Sequence, residues 1–313
     1  MDPSKTAFIF PGQGSQFVGM GRDLAAAFPE AQRTYEEGDE ILAFPLSKVS
    51  WEGPDEVLND TINTQPALMV HSVASLRVFH AIFPGFQPAY VAGHSMGELS
   101  AMVAAGALPF KDALILVRRR GELMKMAGEN SPGGMAAILG LDIPTLDKIC
   151  AEASQSGEIV QVANDNCPGQ VVISGANMAL TRAMELAQQE KARRVVHLSV
   201  SIAAHSPLML AAQTDFNQAV AEAPIQKPSI PIIGNVTAKP LIEADQIRAD
   251  LQAQLTSRVR WTESIQFLIH QGIATFIEIG SGSVLAGLIK RIDRQVQCLS
   301  LGSPIDFEQF SVP

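Results

Sequence analysis

Residues 92–101, AGHSMGELSA, hold a serine at the junction between two apolar stretches of the chain. The residues before it, AYVA (89–92), are typical of a short buried strand, and the residues after it are typical of a helix. Strands that lead into helices in this way are characteristic of a parallel sheet covered by helices. The stretch therefore predicts an α/β fold.

The serine, Ser95, has two interpretations. It could cap the helix, because Ser95 and Glu98 have the spacing of a capping box. A cap, however, does not require Gly93 and Gly97, which flank the serine two residues to either side. The G-x-S-x-G pattern is also that of a nucleophile elbow, a strained turn that exposes the hydroxyl at the carboxyl end of a sheet. In that case the backbone N–H of Met96 would face a developing oxyanion.

The composition limits the classes of function. A chain of 313 residues with 47% apolar residues can bury a large core and hold more than one domain. A net charge of −9 argues against nucleic-acid binding, and an acidic partner would need a local basic patch. Neither a signal-peptide core nor an apolar stretch of about 18 residues is present, so we expect a cytoplasmic protein without membrane spans.

Cysteine and histidine spacing gives no sign of a metal centre. The three cysteines, Cys150, Cys167 and Cys298, are odd in number and far apart, which argues against a disulfide framework or a zinc site. The histidines lack the H-E-x-x-H spacing of metalloenzymes. We therefore expect no metal site.

A different order of predicted elements interrupts the alternation of strands and helices. Between residues 129 and 200 the pattern reads β-α-β-β-α-β, the order of a ferredoxin-like module. Elsewhere, apolar strands such as 6–10 and 275–280 alternate with helical patterns, one of which is expected over 17–28. We expect one large domain, made of residues 1–128 and 201–313, with a small domain of residues 129–200 inserted into it.

The glycine-rich loop FPGQGSQ (10–16) follows the first strand. It lacks the third glycine of the dinucleotide fingerprint and the G-K-[ST] of a P-loop, so phosphate binding is not favoured. The loop could be a simple turn. Alternatively, it could provide the second oxyanion N–H that an elbow enzyme takes from an early strand–helix loop, with Gln13 as the natural candidate.

A serine nucleophile needs a base, usually histidine, and the chain has six. His94 adjoins Ser95, but neighbouring strand residues point to opposite faces, which suits a supporting role. His205 stands where a strand meets a helix, which favours it as the base without deciding the choice. No aspartate between Ser95 and His205 is marked by its context as a third member.

The run VRRRG (117–121) lies in a predicted helix. Each helical step turns by about 100°, so the three arginines cannot share one face. We interpret Arg118 and Arg119 as a solvated surface and Arg120 as the residue that faces inward. A buried arginine would bind a carboxylate. An esterase has no use for this, whereas an enzyme for acyl groups that carry a free carboxylate does.

Taken together, these stretches resemble the malonyl-CoA:acyl-carrier-protein transacylases of fatty-acid synthesis. The resemblance spans nearly the whole chain. Its markers occur in the order FPGQGSQ (10–16), GHSMGE (93–98), RRG (119–121), NDNCPGQVVISG (164–175), AAHSPLM (203–209), NVTAKP (235–240), QLTSRVRWTESI (254–265) and IEIGSGSVLAGLIKRI (277–292).

The resemblance implies a role for each candidate. Ser95 would be the acylated nucleophile and His205 its base. Gln13 and Met96 would supply the oxyanion N–H groups, and Arg120 would pair with the malonyl carboxylate. In place of a triad aspartate, Gln254 would orient the base through its backbone carbonyl.

The resemblance also implies an α/β-hydrolase-like domain with a ferredoxin-like insert. The substrates would be malonyl-CoA and the phosphopantetheine arm of an acidic acyl carrier protein, with coenzyme A released, no tightly bound cofactor and a malonyl-serine intermediate. We expect a monomer. The basic stretches KARR (191–194) and KR (290–291) are candidate docks for the carrier, although both also fit a solvated surface.

Two positions depart from the family pattern. Ala204 precedes His205 and Leu99 follows Glu98, where many relatives carry bulkier or aromatic residues. Methylmalonyl groups could then be accepted, since one added methyl costs only about 1–3 kcal/mol in such a pocket. Further alternatives are a serine thioesterase or esterase, in which Arg120 has no role, and a non-catalytic carrier-binding subunit.

Overall fold

Strands and helices alternate in the computed structural model, which describes residues 2–155, 157–200 and 202–311. The strands are β1 (Thr6–Phe10), β2 (Tyr90–Gly93), β3 (Gly133–Leu139), β4 (Val160–Cys167), β5 (Gln170–Ala176), β6 (Arg194–His197), β7 (Ile232–Ile233), β8 (Pro240–Leu241), β9 (Thr275–Ile279) and β10 (Gln297–Leu301). The α-helices are α1 (Arg22–Ala27), α2 (Pro29–Leu42), α3 (Leu46–Glu52), α4 (Asp55–Leu58), α5 (Thr61–Ile82), α6 (Gly97–Ala104), α7 (Phe110–Asn130), α8 (Ile143–Ala153), α9 (Asn177–Gln189), α10 (Leu210–Glu222), α11 (Ala244–Gln254), α12 (Trp261–His270), α13 (Val284–Ile292) and α14 (Pro304–Ser311).

The larger sheet has the strand order β10-β9-β1-β2-β7-β8, in which only the edge strand β8 is antiparallel to its neighbour. Every residue of β1, TAFIF, is buried, as expected for a central parallel strand covered on both faces. The last residues of β1 and β2, Phe10 and Gly93, are paired in register. This places the loop after β1 beside the turn after β2.

The smaller sheet is antiparallel, with the order β4-β5-β3-β6. Along the chain its elements run β3-α8-β4-β5-α9-β6, which is the order expected for residues 129–200. Its core is separate and is formed by the sheet with α8 and α9. The chain is thus a mixed α/β protein with a parallel-containing sheet and a separate antiparallel one. Residues 1, 156, 201, 312 and 313, which include an expected domain limit and both chain ends, lie outside the described residues.

Some elements of the structure differ from those predicted from the sequence. The helix expected over 17–28 is wrong in its first part, because α1 begins only at Arg22. Gly19 and Gly21 have φ of 102° and 76°, which an α-helix does not allow, so this segment forms turns. The short helices α3 and α4 have no clear sequence periodicity and were not expected. No helix in the described ranges is long and apolar enough to cross a membrane.

Helix α10 packs against α7 and α11, and Phe216 on α10 is fully buried in the large core. We predict that Phe216→Ala lowers the free energy of unfolding by about 3–5 kcal/mol, because it leaves a cavity that rigid neighbours cannot fill. Leu210→Ala on the same helix, where the side chain is 64% exposed, should change it by less than about 0.5 kcal/mol. Urea denaturation measures both variants, and equal losses would contradict the packing described.

Candidate active site

The chain between β2 and α6 forms a strained turn. Ser95 has φ 52°, a left-handed conformation that is rare outside glycine. A Cβ on Gly93 would lie 2.0 Å from the carbonyl carbon of Gly97, and one on Gly97 would lie 2.3 Å from the carbonyl oxygen of Phe10. Both glycines are therefore required by close backbone contacts, as the G-x-S-x-G interpretation predicts.

The capping-box interpretation is wrong. The residue in the N-cap position of α6 is Met96, and among the described residues no side chain caps this helix. The Ser95 hydroxyl instead lies 2.8 Å from Nε2 of His205. The Glu98 carboxyl group is fully buried and accepts a hydrogen bond from the side chain of Gln254.

Asn235, in the loop after β7, holds the turn in place. Its Oδ1 accepts from the backbone N–H of Ser95 at 2.7 Å, and its Nδ2 donates to the carbonyl of Gly93 at 2.8 Å. The two bonds clamp the backbone on either side of His94. Sequence reasoning missed this role: the residue lies in the marker NVTAKP, but only the folded chain brings it to Ser95.

His205 is oriented by a backbone carbonyl. Its Nδ1 lies 2.9 Å from the carbonyl oxygen of Gln254, which can only accept, so Nδ1 carries the proton. Nε2 is then free to accept from the Ser95 hydroxyl. Burial, followed by the positive charge of Arg120, lowers the pKa of His205 to about 3. The imidazole is therefore neutral at physiological pH, as a general base must be.

Arg120 is buried beside Ser95, with only 1% of its surface exposed. It donates through Nη1 to Oε1 of Gln65 at 2.8 Å, and through Nη2 to Oε1 of Gln254 at 2.9 Å and to Oγ of Ser95 at 3.2 Å. None of the described residues forms an ion pair with it; two amide oxygens and one hydroxyl accept its hydrogen bonds. Its expected partner, the carboxylate of the acyl group, stays a prediction. Burial lowers the pKa of Arg120 to about 10, so the guanidinium is charged at neutral pH.

The loop after β1 contacts the turn at Ser95 directly. A Cβ on Gly12 would lie 2.5 Å from the carbonyl oxygen of His94. Within the described part of the chain, the backbone N–H groups of Gln13 and Met96 donate no hydrogen bond. The Gln13 side chain is fixed by a 3.0 Å bond to Thr61. An oxyanion requires two such unused N–H donors, and this role of Gln13 and Met96 stays a prediction.

The His94 side chain contacts Asn166 and Trp261. Its Nε2 lies 2.8 Å from Oδ1 of Asn166, and its ring packs edge-to-face on Trp261. The cysteines Cys150, Cys167 and Cys298 are free thiols. Over the residues that the structure describes, no three histidine, cysteine or acidic side chains are grouped to bind a metal ion.

Comparison with known proteins decides the family. The chain matches the acyl transferase domain family over residues 7–302. It belongs to this family. The malonyl CoA-acyl carrier protein transacylase of Bacillus subtilis (strain 168) is 45% identical to it over 305 residues, which cover 97% of this chain and 96% of the relative. The protein of the same name from Escherichia coli (strain K12) is 42% identical over 298 residues, covering 95% and 96%.

Comparison with solved structures supports the same family. The malonyl CoA-acyl carrier protein transacylase of Coxiella burnetii superposes with a TM-score of 0.95 at 41% identity, covering 98% of this chain and 97% of the other. A malonyl-transacylase in complex with a type II PKS acyl-carrier protein gives a TM-score of 0.94 at 40% identity, covering 98% of each chain. The family resemblance indicated by the sequence is confirmed.

In this acyl transferase a cavity of about 860 Å³ opens between the two sheets. Gln13 and Thr61 line it from the large-sheet side, and Gly133 and His197 line it from the small sheet. Lys125, which is ion-paired with Asp60, lies at its wall. The volume is that of a typical small-molecule site.

The two residues that depart from the family pattern lie four positions after Ser95 and directly before His205 in the chain. Leu99 is fully buried in α6, and Ala204 is partly buried next to His205. Their effect on the acyl range of this acyl transferase stays a prediction.

We predict that a serine-directed fluorophosphonate modifies Ser95 at a rate that changes less than about twofold between pH 7.5 and 5.5. A pKa of about 3 keeps His205 neutral throughout this window, and the rate falls only as the pH approaches that value. An unshifted histidine would lose about tenfold. Intact mass spectrometry measures the rate, with Ser95→Ala as the unlabelled control; a tenfold fall would contradict the neutral-base assignment.

Proposed function

We propose that the chain transfers a malonyl group from malonyl-CoA to the phosphopantetheine thiol of an acyl carrier protein, through a malonyl ester on Ser95. One observation carries this proposal: a buried, charged Arg120, which has no carboxylate partner among the residues that the structure describes, lies 3.2 Å from the Ser95 hydroxyl. A buried charge with incomplete partners is costly, so the site is suited to an acyl group that brings its own carboxylate. The names of the relatives point to the same substrate.

In the first step Ser95 attacks the thioester carbonyl while His205 accepts the hydroxyl proton at Nε2. The backbone N–H groups of Gln13 and Met96 bind the oxyanion, and each such donor typically contributes about 3 kcal/mol in the transition state. His205 then returns the proton to the departing sulfur of coenzyme A. Throughout, the Gln254 carbonyl holds Nδ1 and stabilises the imidazolium.

In the second step the carrier thiol takes the place of coenzyme A. His205 accepts the thiol proton, the sulfur attacks the malonyl ester, and Ser95 leaves with the proton restored. Arg120 holds the malonyl carboxylate in both steps. Of its five N–H donors, the bonds to Gln65, Gln254 and Ser95 use three, and acylation frees the one now on the serine hydroxyl.

The architecture supports this assignment. We interpret residues 1–128 and 201–313 as an α/β-hydrolase-like domain and residues 129–200 as a ferredoxin-like insert. The cavity between the sheets leads to Gln13, so a pantetheine arm could reach Ser95 along it. His94 is proposed to support the turn through Asn166. No tightly bound cofactor is needed; the cytoplasmic location and the monomeric state stay predictions.

The proposed function predicts a malonyl-sized adduct on Ser95 after mixing with malonyl-CoA, and a much weaker one with acetyl-CoA. Arg120→Ala should slow malonyl adduct formation by about 100-fold, because it removes the partner of a desolvated carboxylate. Intact mass spectrometry with a coenzyme A assay measures both.

The neighbouring Arg119→Ala is the matched control, because Arg119 is half exposed and pairs with Glu122. It should leave adduct formation unchanged. Neither adduct nor free coenzyme A would contradict the transferase assignment. Free coenzyme A without a lasting adduct would indicate a thioesterase, and equal adducts with methylmalonyl-CoA would indicate a wider acyl range.

The two basic stretches meet at one end of the small sheet. Arg194 pairs in register with Leu139, and Leu139 pairs with Gln170, to which Arg291 donates a hydrogen bond. Lys191, Arg193, Arg194, Lys290 and Arg291 are all exposed. We propose this surface as the dock for an acidic carrier.

The double variant Arg194→Glu/Arg291→Glu should raise the KM for the carrier about tenfold at low salt, because reversed charges repel an acidic partner. Adduct formation from malonyl-CoA should not change. Lys111→Glu, an exposed charge reversal at the start of α7, is the control. An unchanged carrier KM in the double variant would place the dock elsewhere.

A further inference from the structure

One buried acid has no part in the steps above. Glu98 lies on α6, fully buried, one helical turn after Ser95. Its Oε2 accepts from Nε2 of Gln254 at 2.5 Å, whereas its Oε1 has no donor among the described residues. Asp250, which precedes Gln254 by one turn on α11, lies beside Glu98.

The two neighbouring carboxyl groups cannot both be ionised at low cost. Asp250 accepts three hydrogen bonds, from the N–H of Val236, the N–H of Thr237 and the Thr237 hydroxyl. Glu98 accepts one from a side chain, that of Gln254, and the N–H of Asn235 also lies close to it. Asp250 is thus the better-solvated carboxylate, and the shared proton belongs on Glu98. Burial, followed by the charge of Asp250, raises the pKa of Glu98 well above its ordinary value. A proton on Oε1 would then point to Asp250 and satisfy the atom that has no donor.

The Gln254 side chain links this acid to the arginine. Its Nε2 donates to Glu98 and, at 3.1 Å, to the carbonyl of Ser95, while its Oε1 accepts from Arg120. A reversed amide would set its NH₂ group against the guanidinium and its oxygen against two acceptors. Glu98 and the Ser95 carbonyl therefore decide which end of the amide faces Arg120.

We propose that Glu98 is a positioning residue for acyl selection: as a neutral acid it fixes the Gln254 amide oxygen on Arg120 and so holds the guanidinium beside Ser95. This inference rests on the proposed function, in which Arg120 binds the substrate carboxylate. The base is held by the backbone carbonyl of Gln254, not by its side chain. Loss of Glu98 should therefore weaken selection of the carboxylate more than the reactivity of Ser95.

Two substitutions separate hydrogen bonding from charge. In Glu98→Gln the new amide offers an oxygen to Gln254 and an NH₂ group to Asp250, which reproduces the neutral acid. In Glu98→Met one N–H of Gln254 loses its acceptor. The ratio of kcat/KM for malonyl-CoA to that for acetyl-CoA should fall about tenfold in Glu98→Met, the cost of one unsatisfied buried donor. In Glu98→Gln the ratio should stay within about twofold of the parent.

Each other outcome overturns the proposal. A loss in Glu98→Gln as large as in Glu98→Met would mean that a negative charge acts on Arg120. Equal losses for malonyl-CoA and acetyl-CoA would mean a merely structural role, and unchanged ratios in both variants would mean no role. If instead Arg120→Ala keeps the malonyl preference, the proposed function fails, independently of Glu98.

A second measurement does not need the methionine variant to fold. The infrared spectrum of protein labelled with ¹³C-carboxyl glutamate should show a protonated carboxyl band that is missing in Glu98→Gln. Subtracting the two spectra isolates Glu98 from Glu278, a second buried acid whose pKa burial raises to about 7. Absence of a protonated band in the difference would overturn the neutral-acid assignment.

Discussion

The burial of the Arg120 guanidinium is the constraint on which the site depends. A charge with 1% exposure must be stabilised, yet within the described chain its hydrogen-bond acceptors are amide oxygens and a serine hydroxyl. Neutral acceptors satisfy its geometry without cancelling its charge. The surrounding core thus keeps an unpaired positive charge next to the reactive hydroxyl. In the proposed function, the substrate supplies the missing anion.

The same constraint explains why His205 is oriented by a carbonyl. A carboxylate at Nδ1 would add a negative charge that attracts the Arg120 guanidinium and weakens its hold on a substrate anion. The Gln254 carbonyl fixes the tautomer without adding a charge. Ser95 and His205 both have left-handed backbones, with φ of 52° and 57°. Strain at both residues indicates that the surrounding packing, rather than local preference, sets the pair.

The sequence predicted those parts of the fold that short stretches determine. The fully apolar strand TAFIF, the β-α-β-β-α-β order of residues 129–200 and the need for Gly93 and Gly97 all follow from local sterics and periodicity. The predicted start of α1 was wrong, because the conformations of Gly19 and Gly21 depend on the loop around them.

Roles that depend on distant contacts could not be predicted in this way. Asn235 reaches Ser95 across 140 positions of the chain, and Gln65 reaches Arg120 across 55. The amide partners of Arg120 were not predicted, for a related reason. Sequence shows that an arginine faces inward, but not whether the fold offers it an acid or an amide. The buried acid Glu98 accepts a hydrogen bond from Gln254 instead.

The most direct test of the account is a crystal structure of the malonylated protein. If Arg120 binds the substrate carboxylate, the malonyl carboxylate will lie within hydrogen-bonding distance of its guanidinium, with the ester carbonyl oxygen between the N–H groups of Gln13 and Met96. A carboxylate that points into the cavity toward Lys125, with Arg120 still bound only to Gln65 and Gln254, would contradict it.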